Sequence, residues 1–156
     1  MLRLRSADCN AGYVNMTRIL RCVWRSHGAR GKCGRTCPSR CATRRRVRLV
    51  EIDAPERAQA FGNRSKQSLS ERCFNKAAKL DETGKDRYGR ILARVYCDGV
   101  DANAEQVRRG MAWVYERCAP KNLPLYGVHT EAKAAKHGLW ADNETVPPWD
   151  LRRAGK

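Results

Sequence analysis

Apolar and polar positions alternate along residues 47–52 and again along residues 90–97, the period-two pattern of strands with one buried face. Pro55 prevents the first strand from continuing in a ladder. Residues 76–80 and 90–97 are predicted to form an antiparallel pair around a turn at residues 85–89. The period lengthens to that of a helix over residues 58–74, with Phe61, Leu69 and Cys73 toward the buried side, although Gly62 weakens this helix. Asp98-Gly99 is a tight-turn dipeptide. Asp101 is placed to cap a helix running through Gly110, with Ala104, Val107 and Met111 on one face. Pro124 suits the first turn of a last helix, which should reach Lys136 or His137 and stop at Gly138, so that Leu139 and Trp140 pack back on the core. Residues 146–149 (Val-Pro-Pro-Trp) read as a rigid extended tail, followed by a basic tail over residues 151–156.

Residues 1–46 do not share this order. The run from Tyr13 to Trp24 fits a strand or a short helix, and residues 26–46 have no apolar period and read as loop or disorder. The segment holds five of the eight cysteines. Residues 1–47 carry 12 basic residues against one acid, Asp8, while the rest of the chain carries 20 against 15. The domain organisation is therefore an atypical basic Cys/Arg-rich segment (1–46), a folded domain (47–150) and the basic tail. At 156 residues the chain has the length of one domain, able to bury a core unaided. A net charge of +16 points to a polyanionic partner, and arginines placed in turns favour nucleic acid over an acidic membrane face. No apolar run is long enough for a membrane span, and residues 1–14 lack the continuous apolar stretch of a signal peptide.

The chemistry concentrates in Arg48-Leu49-Val50-Glu51-Ile52-Asp53-Ala54-Pro55-Glu56 and in Asp86-Arg87-Tyr88-Gly89-Arg90. Arginines facing paired carboxylates suit phosphodiester chemistry. Planar guanidinium forks hold phosphate oxygens, one carboxylate can hold a hard cation, and the other can direct a water. Taken singly, each residue has a plainer reading: strand-surface arginines, a turn-starting aspartate, a glutamate in a helix's first turn. Five residues of strand span roughly 16 Å, so Arg48 and Asp53 can serve one phosphate only if the chain curls between them.

Four segments, in order and spacing, resemble the thermonuclease (staphylococcal-nuclease-like) family. They are Val-Arg-Leu-x-x-Ile-Asp-Ala-Pro-Glu (47–56), Asp-Arg-Tyr-Gly-Arg (86–90), Asp-Ala-Asn-Ala-Glu-Gln-Val-Arg-Arg-Gly-Met-Ala-Trp-Val-Tyr (101–115) and Glu-Ala-x-Ala-Ala-x-x-Gly-Leu-Trp (131–140). The resemblance covers residues 47 to about 150. It implies an α+β fold: a five-stranded Greek-key barrel of the oligonucleotide-binding type with about three packed helices, its first strands drawn partly from the atypical N-terminal segment. It implies a calcium-dependent endonuclease acting on DNA and/or RNA as a monomer, with no membrane partner. Asp53 would be a calcium ligand, with a backbone carbonyl at Ala54 as a second contact. Glu56 would activate the water, Arg48 and Arg90 would clamp the phosphate, and Arg87 and Tyr88 would touch nucleotide phosphate or sugar. Trp113 and Tyr115 are core residues or base-stacking ones. The family is often exported.

One departure matters. Family members carry an Asp-Gly-Asp-Thr run upstream, whose first aspartate is a second calcium ligand, and residues 1–46 contain none. Either the segment has diverged or it is read in a shifted frame; codons for Cys22-Val23-Trp24-Arg25 shifted by one base permit Val-Tyr-Gly-Asp. The alternative function is thus a catalytically impaired module that binds nucleic acid without cutting it. Cys33, Cys37 and Cys41, with His27, have the spacing of no common zinc site. Cys73 and Cys97 are either a disulfide, helix end to strand end, or two small buried hydrophobes.

Overall fold

The computed structural model describes residues 45–155. Within it residues 47–52 are not one strand. β1 (Val47–Leu49) and β2 (Ile52–Asp53) are separated by a bend in which Glu51 adopts a left-handed φ of 66°. A left-handed residue reverses the chain's course locally, so β2 leaves the first sheet and pairs antiparallel with β6 (Trp113–Val114), Asp53 opposite Trp113. This is the curl that Arg48 and Asp53 require. It is held from three sides. The Tyr115 N–H donates to the Glu51 carbonyl at 2.8 Å. The fully buried Asn103 side chain accepts from the Val95 N–H and donates to the Val50 carbonyl at 2.8 Å. The Glu51 carboxylate engages Arg94, which also holds Asp101.

β1 lies parallel to β4 (Ile91–Cys97), with Arg48 beside Leu92. β4 pairs antiparallel with β3 (Ala78–Lys85) and with β5 (Val100–Asp101). Ile91, Ala93, Val95 and Cys97 alternate into the core, as the period-two pattern predicts. β3 runs five residues past the predicted end at Leu80, because its polar far half pairs with β4 in an exposed hairpin. Asp98 and Gly99 both take left-handed φ, as a two-residue hairpin turn needs.

Helix α1 (Gly62–Cys73) starts four residues later than the apolar spacing predicts, since Glu56 to Phe61 form turns and Phe61 is itself left-handed. Gly62 is required there: a Cβ would overlap the Glu56 carbonyl oxygen. Leu69 and Cys73 are buried and Phe61 is half-buried; burying Leu69 alone contributes about 2 kcal/mol. Asp101 caps α2 (Ala102–Arg108) by accepting from the Ala104 N–H at 3.0 Å. Buried Gln106 joins α2 to α1, donating to the Ser65 carbonyl and accepting from the Ser68 hydroxyl at 2.7 Å. α3 (Leu125–Ala134) follows Pro124, and a 3-10 turn (Gly138–Ala141) returns Leu139 to the core. Residues 146–149, expected as an extended tail, instead lead into α4 (Pro148–Ala154). Extended Pro147 precedes the helix and Pro148 occupies its first position, where a missing N–H costs nothing. A Cys73–Cys97 disulfide joins the end of α1 to the end of β4.

The architecture is α+β, consistent with the oligonucleotide-binding type. Among the described residues the strands form a four-stranded mixed sheet and a two-stranded ribbon, not a closed barrel, packed with four α-helices where about three were expected. No described helix is long and apolar enough to cross a membrane. The strands expected before Val47, the missing Asp-Gly-Asp-Thr run and the Cys33/Cys37/Cys41 spacing lie outside the described residues.

Candidate active site

Arginines line one side of the site. Arg48 projects from β1, and its Nη1 is buried without a hydrogen-bond partner. Burial, followed by the positive charge of Arg90, lowers its pKa, while Asp53 and Asp86 oppose that shift. Arg90 closes the β3–β4 turn. Asp86 fixes the turn through Oδ1, which accepts from the Tyr88 and Arg90 N–H groups at 2.9 Å, and through Oδ2, which accepts from Arg90 Nε. Burial works against the charge on Asp86, but those three donors outweigh it and hold its carboxyl below the usual range. Arg87 and Tyr88 stand exposed at the tip, and the guanidinium groups of Arg87 and Arg90 lie 4.9 and 5.3 Å from the Tyr88 ring.

The other side is acidic. β2 ends in Asp53, whose side chain is only 1% exposed, and the following turn presents Glu56. Both carboxylates converge on one group: Arg152 of α4 donates from Nη2 to Asp53 Oδ2 and from Nη1 to Glu56 Oε1, each at 2.6 Å. Asp53 Oδ1 is buried with no hydrogen-bond partner. Burial pushes the Asp53 pKa up to about 6, against the hydrogen bond and charge of Arg152 and the charge of Arg48. Arg152 loses by burial but gains more from Asp53 and Glu56, so its pKa rises.

Arg152 arrives there because Trp149, one helical turn earlier, packs against Tyr115 (ring centroids 5.3 Å apart) and edge-on to Trp113 (6.4 Å). Trp113 in turn meets Trp140 edge-on at 5.6 Å. Since Trp113 pairs with Asp53 across the β2–β6 ribbon, seating Trp149 on β6 sets Arg152 over Asp53.

Residues 46–142 match the staphylococcal nuclease homologue family. The chain belongs to the staphylococcal nuclease family. It is 43% identical to an uncharacterized endonuclease of Haemophilus influenzae over 122 residues, covering 78% of this chain and 67% of that protein. It is 40% identical to a micrococcal nuclease of Shigella flexneri over 121 residues, covering 71% and 70%. An uncharacterized endonuclease of Escherichia coli is 43% identical over 109 residues, covering 69% and 70%.

In this family member Arg48, Asp53 and Arg90 form one electrostatic cluster with Glu56 at its edge, while Arg87 and Tyr88 remain on the exposed turn. Trp113 and Tyr115, left open between core and base-stacking roles, are buried beneath Trp149. Sequence reasoning gave Asp86 and Asn103, both inside its motifs, no role of their own and missed Arg152 altogether. The signal for Arg152 was present: Pro147-Pro148 ahead of Asp150, with Arg152 and Arg153 behind, is the charge order of a short helix.

The donor chemistry suits a hard divalent cation: two carboxylates converge, and one buried carboxylate oxygen lacks a partner. Among the described residues no third His, Cys, Asp or Glu joins them.

Proposed function

We propose that this chain is a calcium-dependent endonuclease hydrolysing phosphodiester bonds of DNA and/or RNA as a monomer. The observation that carries the reading is the convergence of the Asp53 and Glu56 carboxylates beside Arg48, whose Nη1 has no protein partner. Asp53 and the Ala54 carbonyl would hold calcium, which when bound supplies positive charge against the phosphate. Arg48 and Arg90 bind the non-bridging phosphate oxygens and favour the added negative charge of the five-coordinate transition state. Glu56 accepts a proton from the water as its oxygen adds to phosphorus, and the bond from phosphorus to the departing sugar oxygen breaks, that oxygen keeping the electron pair and taking a proton from solvent. Arg87 and Tyr88 would contact the flanking nucleotide.

A second reading, a module that binds nucleic acid without cutting it, is favoured by the small set of carboxylates: Asp53 and Glu56 stand without a third among the described residues. Hydrolysis of single-stranded and duplex DNA in calcium and in chelator separates the two. The nuclease cuts in calcium only, and Glu56→Ala lowers the rate by roughly 100-fold or more. Tight, salt-sensitive binding in chelator with no cutting in either condition would move the chain to the binding reading.

A further inference from the structure

From the placement of helix α4 we infer that Arg152 is an internal counter-cation. It occupies the space between Asp53, the carboxylate that would hold a divalent metal ion, and Glu56, the one that would direct the water, so α4 is a displaceable plug and the ion and the helix are alternatives. The inference rests on the calcium-dependent reading above.

Three observations support it. The first is occupancy. The guanidinium spreads its two terminal nitrogens over one oxygen of each carboxylate at 2.6 Å, a fork geometry that satisfies both partners at once. A divalent ion held at Asp53 would sit against a guanidinium, and like charges at such a separation repel strongly in a partly desolvated site. Arg48 and Arg90 already crowd the same place with positive charge. While Arg152 holds Glu56 Oε1, it takes one of that oxygen's lone pairs and lowers its power to accept a proton from a water.

The second is the need for a cation of some kind. An Asp53 side chain 1% exposed and already lacking a partner at Oδ1 is costly to leave unpaired. Arg152 supplies the charge when no ion does.

The third is the light fastening of α4. It has seven residues and no side-chain cap at its N-terminus, and Leu151, Arg153 and Ala154 face solvent. Its fixed points are Pro148 and the Trp149 ring on Tyr115 and Trp113, beside the Arg152 pairs themselves. A short segment with few buried contacts opens at low cost. Breaking the two Arg152 contacts therefore removes a large part of what holds it.

The test is calcium titration calorimetry on the intact chain and on Arg152→Gln, Trp149→Ala and Asp53→Asn, with amide hydrogen exchange read over residues 148–154 in calcium and in chelator. Circular dichroism establishes that each variant is folded. Arg152→Gln should bind calcium about tenfold more tightly, as expected when a competing state populated at about 90% is removed. Trp149→Ala, which leaves Arg152 in place but takes away its anchor, should move affinity in the same direction by less. In the natural sequence, protection of the α4 amides should be present in chelator and lost in calcium. Equal affinities for the natural chain and Arg152→Gln, with α4 equally protected in both conditions, would overturn the plug while leaving the nuclease reading intact. Failure of Arg152→Gln to bind calcium at all would overturn it too. Calcium binding unchanged in Asp53→Asn would instead place the ion elsewhere and defeat the site assignment itself.

Discussion

The two halves of the site are built in opposite ways. The arginine half is wired by neighbours: Asp86 and Arg90 are four residues apart, and one carboxylate fixes both the turn and the guanidinium that closes it. The carboxylate half is wired across the chain: Arg152 lies 99 residues from Asp53 and 96 from Glu56. Each half keeps one buried atom without a partner, Arg48 Nη1 and Asp53 Oδ1, but the carboxylate half already holds a cation of its own, Arg152, shared between its two carboxylates. Locally wired groups hold their geometry whether or not a ligand arrives. Groups satisfied by a distant segment can exchange that partner for another.

If the arginine half carries the stabilisation of the transition state, its removal should have the largest effect. Arg48→Ala and Arg90→Ala are each expected to lower kcat by about 100- to 1,000-fold, the loss typical of a preorganised charge aimed at developing negative charge. Lysine should rescue little, because an ammonium cannot reproduce the planar fork. Single-turnover cleavage of a labelled oligonucleotide reads this directly, and a loss under threefold at both positions would refute the division of labour.

Asp86 tests the local wiring more finely, since it acts only through Arg90 and the turn. Asp86→Ala should cost about 10- to 100-fold in kcat, the penalty of a small misplacement of a catalytic group, with KM changing much less. Asp86→Asn keeps an oxygen for the Tyr88 and Arg90 N–H groups and should recover part of the loss. If Asn were as poor as Ala, the ionic hold of the Asp86 carboxylate on the Arg90 guanidinium, and not the shape of the turn, would be what matters.

The same contrast decides what could be read in the sequence. The β4 alternation, the Asp98-Gly99 turn and the Asp101 cap depend on residues a few positions apart, and the structure has each of them, whereas α3 ends at Ala134, short of the expected Lys136 or His137, and Gly138 opens the 3-10 turn instead. The motif residues Arg48, Asp53, Glu56 and Arg90 were nameable for the same reason, and the curl they need was foreseen as a requirement. Its source was not. A left-handed glutamate has no local signature, and Glu51 is held in place by Tyr115, Asn103 and Arg94, which lie far along the chain. Helix α4 escaped notice because a seven-residue helix with two prolines at its start has too few apolar positions to show a period, and its anchor on Trp113 is tertiary. Gly62 was misjudged in the opposite sense. It looked like a weak point inside a helix, yet it opens the helix and clears the Glu56 carbonyl.

The smallest predicted effect concerns the aromatic layer that seats the long-range half. His129 packs against Trp140 at 5.0 Å, with its Nε2 buried and unpartnered. Burial first, and the charge of Lys133 second, lower its pKa to about 4. In the unfolded chain the imidazole takes a proton near pH 6.5; in the folded chain it stays neutral until about pH 4. Its contribution to stability is therefore complete above pH 6.5 and drains away as pH falls toward 4, by about 1–2 kcal/mol over that window. His129→Phe keeps a ring against Trp140 and removes the titration. Urea unfolding at pH 7 and pH 4.5 should show the variant gaining on the natural chain by about that amount at the acid end, while titrating carboxylates affect both chains alike. The effect should also be regional. Trp140 meets Trp113, and Trp113 meets Trp149, so at pH 4.5 the α4 amides of the natural chain should be less protected than those of His129→Phe, while the 86–90 turn is alike in both. A stability gap independent of pH, or equal α4 protection in the two chains, would mean that the aromatic layer does not couple His129 to the helix that carries Arg152.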